Sequence, residues 1–220
     1  MRPVPAPDGP AFAVILAGGS GRRLGLVDKP GLLLHGRRLV DIALAAVAPA
    51  LTVVVGPDRE LPPGTLQALE NPPGGGPAAA LVAGLRALAE HRAPADREDV
   101  SGPGTRDLVV ALASDLPGID RAAVRALADA VVREGLDGAV LCDPDGRRQY
   151  LAGVWRWSAL LGSVALRPSW HDARLSDLLA PLIGATVPVD VGVGADVDRP
   201  EDLIRWKLTA PESRPAEDGS

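Results

Sequence analysis

Leu16-Ala17-Gly18-Gly19-Ser20-Gly21-Arg22-Arg23, followed by Asp28-Lys29-Pro30, sets glycines and three cations directly behind the apolar run Phe12-Ala13-Val14-Ile15-Leu16-Ala17. An unbroken apolar run suits a parallel strand buried on both faces, and open α/β sheets bind ligands at the carboxyl ends of such strands. Glycines there let backbone amides approach phosphate oxygens. Arg22, Arg23 and Lys29 supply the charge a polyphosphate would neutralise, Arg in bidentate fashion and Lys as a point charge. The pattern describes a triphosphate cradle. A Walker loop is excluded because no Gly-Lys-Ser/Thr ending follows Gly18 or Gly21 at the right distance. The dinucleotide fingerprint is excluded because Leu24 stands where its third glycine is needed, and the strand Thr52–Val55 runs into Gly56-Pro57 rather than an acidic residue.

Four further places carry chemistry. The buried-strand pattern Leu108–Ala113 ends in Ser114-Asp115, so Asp115 should emerge at the same edge, as a ligand for Mg²⁺ or as a turn former. Asp196 and Asp198 precede Pro200, where Asp198 either binds metal or caps the following helix, with Glu201 and Asp202 favouring its positive end. Glu70-Asn71-Pro72-Pro73-Gly74-Gly75-Gly76-Pro77 can fold over a purine, with Gly76 permitting close approach, or can be a plain turn. Asp145-Gly146 leads into Arg147, Arg148 and Gln149, either a polar stretch facing a second substrate or a hairpin with solvated arginines. Trp155, Trp157 and Trp170 offer stacking faces or packing. His35, His91 and His171 occur singly, and no hydrolase triad is evident.

Residues 14 to 41 resemble the signature of the molybdenum cofactor guanylyltransferases, within the larger group that attaches nucleotides to sugar phosphates and cofactors. The resemblance extends from Phe12 to about Lys207. It takes in the glycine loop, Gly36 with Asp41, Gly76-Pro77 opening a helix with Ala83-Gly84-Leu85, Ser114-Asp115-Leu116-Pro117, and Asp196-Val197-Asp198-Arg199-Pro200-Glu201-Asp202-Leu203. It implies a three-layer, Rossmann-like nucleotidyltransferase fold and a Mg²⁺-dependent transfer of GMP from GTP to molybdopterin, with transient contacts to molybdenum cofactor enzymes. Cytidylyl transfer, or transfer to another small phosphorylated acceptor, is the alternative. A nucleotide-binding partner without turnover is a third reading. The implied nucleotide site comprises Leu16, Ala17, Gly18, Gly19, Ser20, Gly21, Lys29, Glu70 or Asn71, Gly76 and Asp115. Arg22, Arg23, Lys29 and Asp115 would carry catalysis, Asp115 and Asp198 the metal, and Arg147, Arg148 and Gln149 the acceptor. The family often has Asn where this chain has Gly56, and commonly has Asn where this chain has Asp198.

The elements that must position these groups alternate. Strands are expected at Phe12–Ala17, Thr52–Val55, Leu66–Leu69, Leu108–Ala113, Gly138–Leu141, Leu151–Trp155 and Thr186–Val191. Helices are expected at Leu39–Val47, Pro77–Ala89, Arg121–Arg133, Ser158–Leu166, Leu175–Leu182 and Pro200–Lys207. That order predicts a mostly parallel α/β sheet with helices on both faces, one domain over 12–207, with flexible tails at 1–11 and 208–220 and a flexible loop at 91–105. The chain's 220 residues suffice for one sizeable core. A net charge of −5 argues against general nucleic-acid binding. The single cysteine, Cys142, a start unlike a signal peptide and the lack of a long apolar run favour the cytoplasm and no membrane partner.

Overall fold

The computed structural model describes residues 9–18, 28–91, 107–190 and 192–211. In chain order the strands are β1 (Phe12–Leu16), β2 (Leu33–Leu34), β3 (Arg37–Arg38), β4 (Leu51–Val55), β5 (Leu66–Ala68), β6 (Leu108–Ala113), β7 (Gly138–Cys142), β8 (Arg148–Arg156) and β9 (Ala185–Pro188). The helices are α1 (Leu39–Val47), α2 (Gly76–His91), α3 (Arg121–Glu134), α4 (Trp157–Val164), α5 (Leu175–Leu179) and α6 (Pro200–Trp206). Most expected elements recur within a few residues of their predicted ends. The expected helix Leu175–Leu182 is split, because Pro181 lies in a 3₁₀ turn, Ala180–Leu182, that follows α5.

The main sheet has seven strands in the order β5-β4-β1-β6-β8-β7-β9. Neighbours are parallel except where β8 is involved, which runs antiparallel to both β6 and β7. The central strand β1 is buried along its whole length, as its continuous apolar run requires. Its side chains alternate between two cores. Ala13 and Ile15 join α1 and α3 on one face, while Phe12, Val14 and Leu16 join α2, α4 and α5 on the other. On the second face Gly84 of α2 lies directly over Val14 and Val55, where any Cβ would overlap both. On the first, α3 is delimited by local signals: Asp120 accepts a hydrogen bond from the Ala123 amide at 2.8 Å, and Gly135 ends the helix at φ 65°.

The reversed strand bears directly on the site. Parallel strands end at the ligand edge, but β8 begins there, so Arg148 and Gln149 at its start join the ends of β1, β4 and β6. Trp155, Trp157 and Trp170 are buried in the second core, so the packing reading holds for all three.

A third, small cluster was not foreseen. Leu32, Leu39, Val197 and Leu208 pack together beside the short β2–β3 hairpin. The hairpin turns through His35 and Gly36, both at positive φ. Leu33 and Thr209 exchange two backbone hydrogen bonds of 2.8 and 3.0 Å. The fold's contacts therefore run on to Thr209, past the expected boundary at 207.

Candidate active site

A cleft of about 1450 Å³ opens along the carboxyl edge of the sheet. Single-ligand pockets are typically about 300–1,000 Å³, so this one has room for two sizeable ligands. Its walls include Leu16, Ala17 and Gly18 after β1, Gly56 after β4, Glu70 and Gly76 between β5 and α2, Asp115 after β6, and Arg147, Arg148 and Gln149 from the β7–β8 turn. Lys29 and Asp198 complete them. Gly19, Ser20, Gly21, Arg22 and Arg23 lie outside the described residues.

At the cleft's centre Lys29 lies between two carboxylates. Its Nζ donates to Asp198 Oδ1 at 2.7 Å and to Asp115 Oδ2 at 3.4 Å. The three residues come from positions far apart in the chain. Lys29 opens a 3₁₀ turn, Lys29–Gly31, with Pro30 and Gly31 buried beneath it. Asp115 leaves the end of β6, where the Ser114 amide still bonds the Leu16 carbonyl at 2.9 Å. Asp198 follows Val197, which is buried in the third cluster and whose amide bonds the Asp115 carbonyl at 3.1 Å. That backbone bond fixes the two aspartates side by side.

Burial pushes Asp115 above the ordinary carboxylate value; the Lys29 charge opposes the shift and the nearby Asp196 adds to it. For Lys29, burial is the largest single influence and pulls its affinity for a proton down. The hydrogen bond to Asp198 and the charges of Asp115 and Asp198 outweigh it, and the net shift is upward. The ammonium is thus held charged in a partly desolvated site.

Asp198 does not cap α6. The cap residue is Arg199, and Asp202, in the first turn, accepts from the amides of Asp198 and Arg199 at 2.9 and 2.8 Å. With the cap role taken by Asp202, the Asp198 carboxylate points at Lys29. Asp115 and Asp198 therefore converge on the Lys29 ammonium, and their oxygens are of the kind a hard cation takes. No group of three or more His, Cys, Asp or Glu able to hold a metal occurs among the described residues. A hard ion such as Mg²⁺ is commonly bound by one or two carboxylates plus water and substrate phosphate, and this donor set fits it.

On the other side of the cleft, Glu70 and Asn71 are separated by the structure. Glu70 faces the cleft, and its Oε1 accepts from the Gly74 amide at 3.0 Å, holding the loop that leads to α2. Asn71 is not part of the cleft wall. Gly74 and Gly76 have φ of 83° and 84°, conformations that favour glycine. Gly56 is required by its neighbour strand: a Cβ there would come within 2.8 Å of the Ala17 and Gly18 backbone. The β7–β8 connection is a hairpin, with Asp143 accepting from the Arg147 amide at 2.7 Å, and the same turn delivers Arg147, Arg148 and Gln149 to the cleft. The hairpin reading holds, and Arg147 and Arg148 are exposed at the mouth of the cleft.

Nothing local in the sequence singles out Arg59. It lies in an irregular loop after β4, without periodicity or motif, yet its side chain is only 11% exposed and forms part of the cleft wall. Only its contacts, with residues distant in sequence, reveal it.

A glycine-bearing strand end, a lysine between two aspartates and a wide cleft at the carboxyl edge of the sheet suit a nucleotidyltransferase-type α/β domain. The chain belongs to the MobA-like NTP transferase family, whose domain model matches residues 13–186. It is 37% identical over 150 residues to a molybdenum cofactor guanylyltransferase of Acidiphilium cryptum, covering 65% of each chain. It is 31% identical over 170 residues to a molybdenum cofactor guanylyltransferase of Bradyrhizobium sp., covering 74% of this chain and 71% of that one. The crystal structure of molybdopterin-guanine dinucleotide biosynthesis protein A from Archaeoglobus fulgidus shares the fold, with a TM-score of 0.61 at 20% identity, over 89% of this chain and 96% of that one. No described helix is long and apolar enough to cross a membrane.

Proposed function

We propose that this chain transfers GMP from GTP to the terminal phosphate of molybdopterin, releasing pyrophosphate. The observation that carries the reading is the convergence of Lys29, Asp115 and Asp198 in one cleft walled by a base-facing carboxylate, Glu70, and by cationic groups, Arg147 and Arg148. The names of the curated relatives support the same substrates.

The acceptor phosphate is itself an anionic nucleophile, so the protein's task is to align two polyanions and offset their repulsion. The Leu16–Gly18 backbone lies against the nucleotide, and Lys29 stabilises charge at the α-phosphate. The resemblance assigns Arg22 and Arg23 to the β- and γ-phosphates. Asp115 and Asp198 would hold Mg²⁺, which when bound neutralises phosphate charge. Arg147, Arg148 and Gln149 face the acceptor. Leu69, 51% exposed beside Glu70, offers apolar surface to the base. Glu70 can accept from both N1–H and the exocyclic amine of guanine, an adjacent donor pair that adenine and cytosine lack. Transfer is tested by pyrophosphate release across GTP, CTP and ATP, each with Mg²⁺ and molybdopterin. Release with GTP supports the reading; release with CTP alone replaces guanylyl by cytidylyl transfer; binding without release makes the chain a nucleotide-binding partner.

A further inference from the structure

We infer that Arg59 is a positioning residue that sets the place of Lys29 relative to the end of β1. The inference rests on the role proposed for Lys29. Arg59 Nη2 donates to the Ala17 carbonyl at 3.2 Å and to Asp28 Oδ1 at 3.3 Å, while Nη1 donates to Asp28 Oδ2 at 3.4 Å. One guanidinium thus joins the last residue before the cradle to the residue that immediately precedes Lys29. The Asp28 side chain folds back over Gly31, where a Cβ would overlap its carboxylate, so the link passes into the turn that carries Lys29.

Arg59 is itself held. Gln67 of β5 accepts from its amide at 3.1 Å and donates to its carbonyl at 2.9 Å. Its Nε is buried without a hydrogen-bond partner among the described residues. An enclosed guanidinium with an unmet donor is a poor stabiliser in its own right, because desolvation and the lost bond offset what its partners return. Its two-ended bridge is the feature that an uncharged packing side chain could not supply.

The test uses Arg59→Gln, with Asp28→Asn as a second variant that cuts the same link from its exposed end. The chain has only two lysines, Lys29 and Lys207. Reductive ¹³C-methylation therefore reports on both, with Lys29→Arg assigning the signals. Both variants are expected to shift the Lys29 methyl resonance and leave that of Lys207 in place. In pyrophosphate release, Arg59→Gln is expected to lower kcat about tenfold or more, the scale of a misplaced catalytic group. In a Lys29→Ala background the same change should cost less than about twofold, because the two act through one path. An unmoved Lys29 resonance in folded variants, or an equal loss in both backgrounds, would overturn the inference. A parent protein that releases no pyrophosphate with any nucleotide overturns the functional reading instead, and the Lys29 resonance still decides Arg59. Should Arg59→Gln fail to fold, Asp28→Asn decides in its place.

Discussion

Lys29 is expected to serve both stability and the proposed chemistry. Its proton affinity is raised in the folded chain, so it contributes stability at every pH below its ordinary value of 10.5, lost only as the pH climbs through the raised value. Lys29→Ala should therefore lower the melting temperature at neutral pH as well as cutting kcat by about two orders of magnitude, the scale of one lost charge stabiliser. Thermal melts and steady-state pyrophosphate release check the two effects, and parent-like turnover would remove Lys29 from the chemistry. Asp115 is also raised, but its charged form is the deprotonated one. Burial raises its value above 3.8, so the ionised carboxylate costs stability at neutral pH, a cost absent below 3.8 and incurred as the pH rises through the raised value. Asp115→Asn should thus melt no lower than the parent at pH 7, and the two curves should draw together in acid, while the Mg²⁺ titration of activity moves to far higher concentration. A less stable variant with an unchanged Mg²⁺ titration would make Asp115 a structural residue.

The elements around the site differ in how far sequence could announce them. β1 and β6 were readable as continuous apolar runs, and α3 was bounded by Asp120 and Gly135, because burial on both faces and helix capping leave local traces. Lys29 and Asp115 could be named from where they stand beside those strands. Nothing local marked the third cluster, since Leu32, Val197 and Leu208 are far apart in sequence and its strands are only two residues long. The same holds for Arg59 and for the capping reading of Asp198, which was lost to Asp202. Gly84 offers a test at this scale. Its lack of a side chain lets α2, which opens at Gly76 on the cleft wall, settle on Val14 and Val55. Gly84→Ala should cost stability by about 1–3 kcal/mol through overpacking, despite alanine's better helix propensity. Chemical denaturation measures it, and a gain in stability would mean that α2 can lift from the sheet freely.

At the scale of the whole molecule, one reversed strand brings two sets of residues into a single cleft. β1, β4 and β6 end at the carboxyl edge of the sheet, and β8, starting where they end, brings Arg147, Arg148 and Gln149 within the same walls. Both substrates would sit in the cleft together, and no covalent intermediate is called for, so initial-rate patterns should be sequential rather than ping-pong. Base choice then depends on the wall opposite the acceptor. With Gly56 confined to glycine by the Ala17–Gly18 backbone, discrimination in the proposed site would fall to Glu70. GTP should bind at least about tenfold more tightly than ATP or CTP, the worth of one well-made polar contact of ~1.4 kcal/mol. Glu70→Gln keeps an oxygen for the Gly74 amide and loses the second acceptor that guanine would need. It should therefore erase most of the GTP preference while leaving the melting temperature near the parent's. Calorimetry with the three nucleotides, on parent and variant, decides the point. An unchanged preference in the variant would move base recognition away from Glu70, and a parent indifferent to the base would leave the cleft a general nucleotidyl-transfer site.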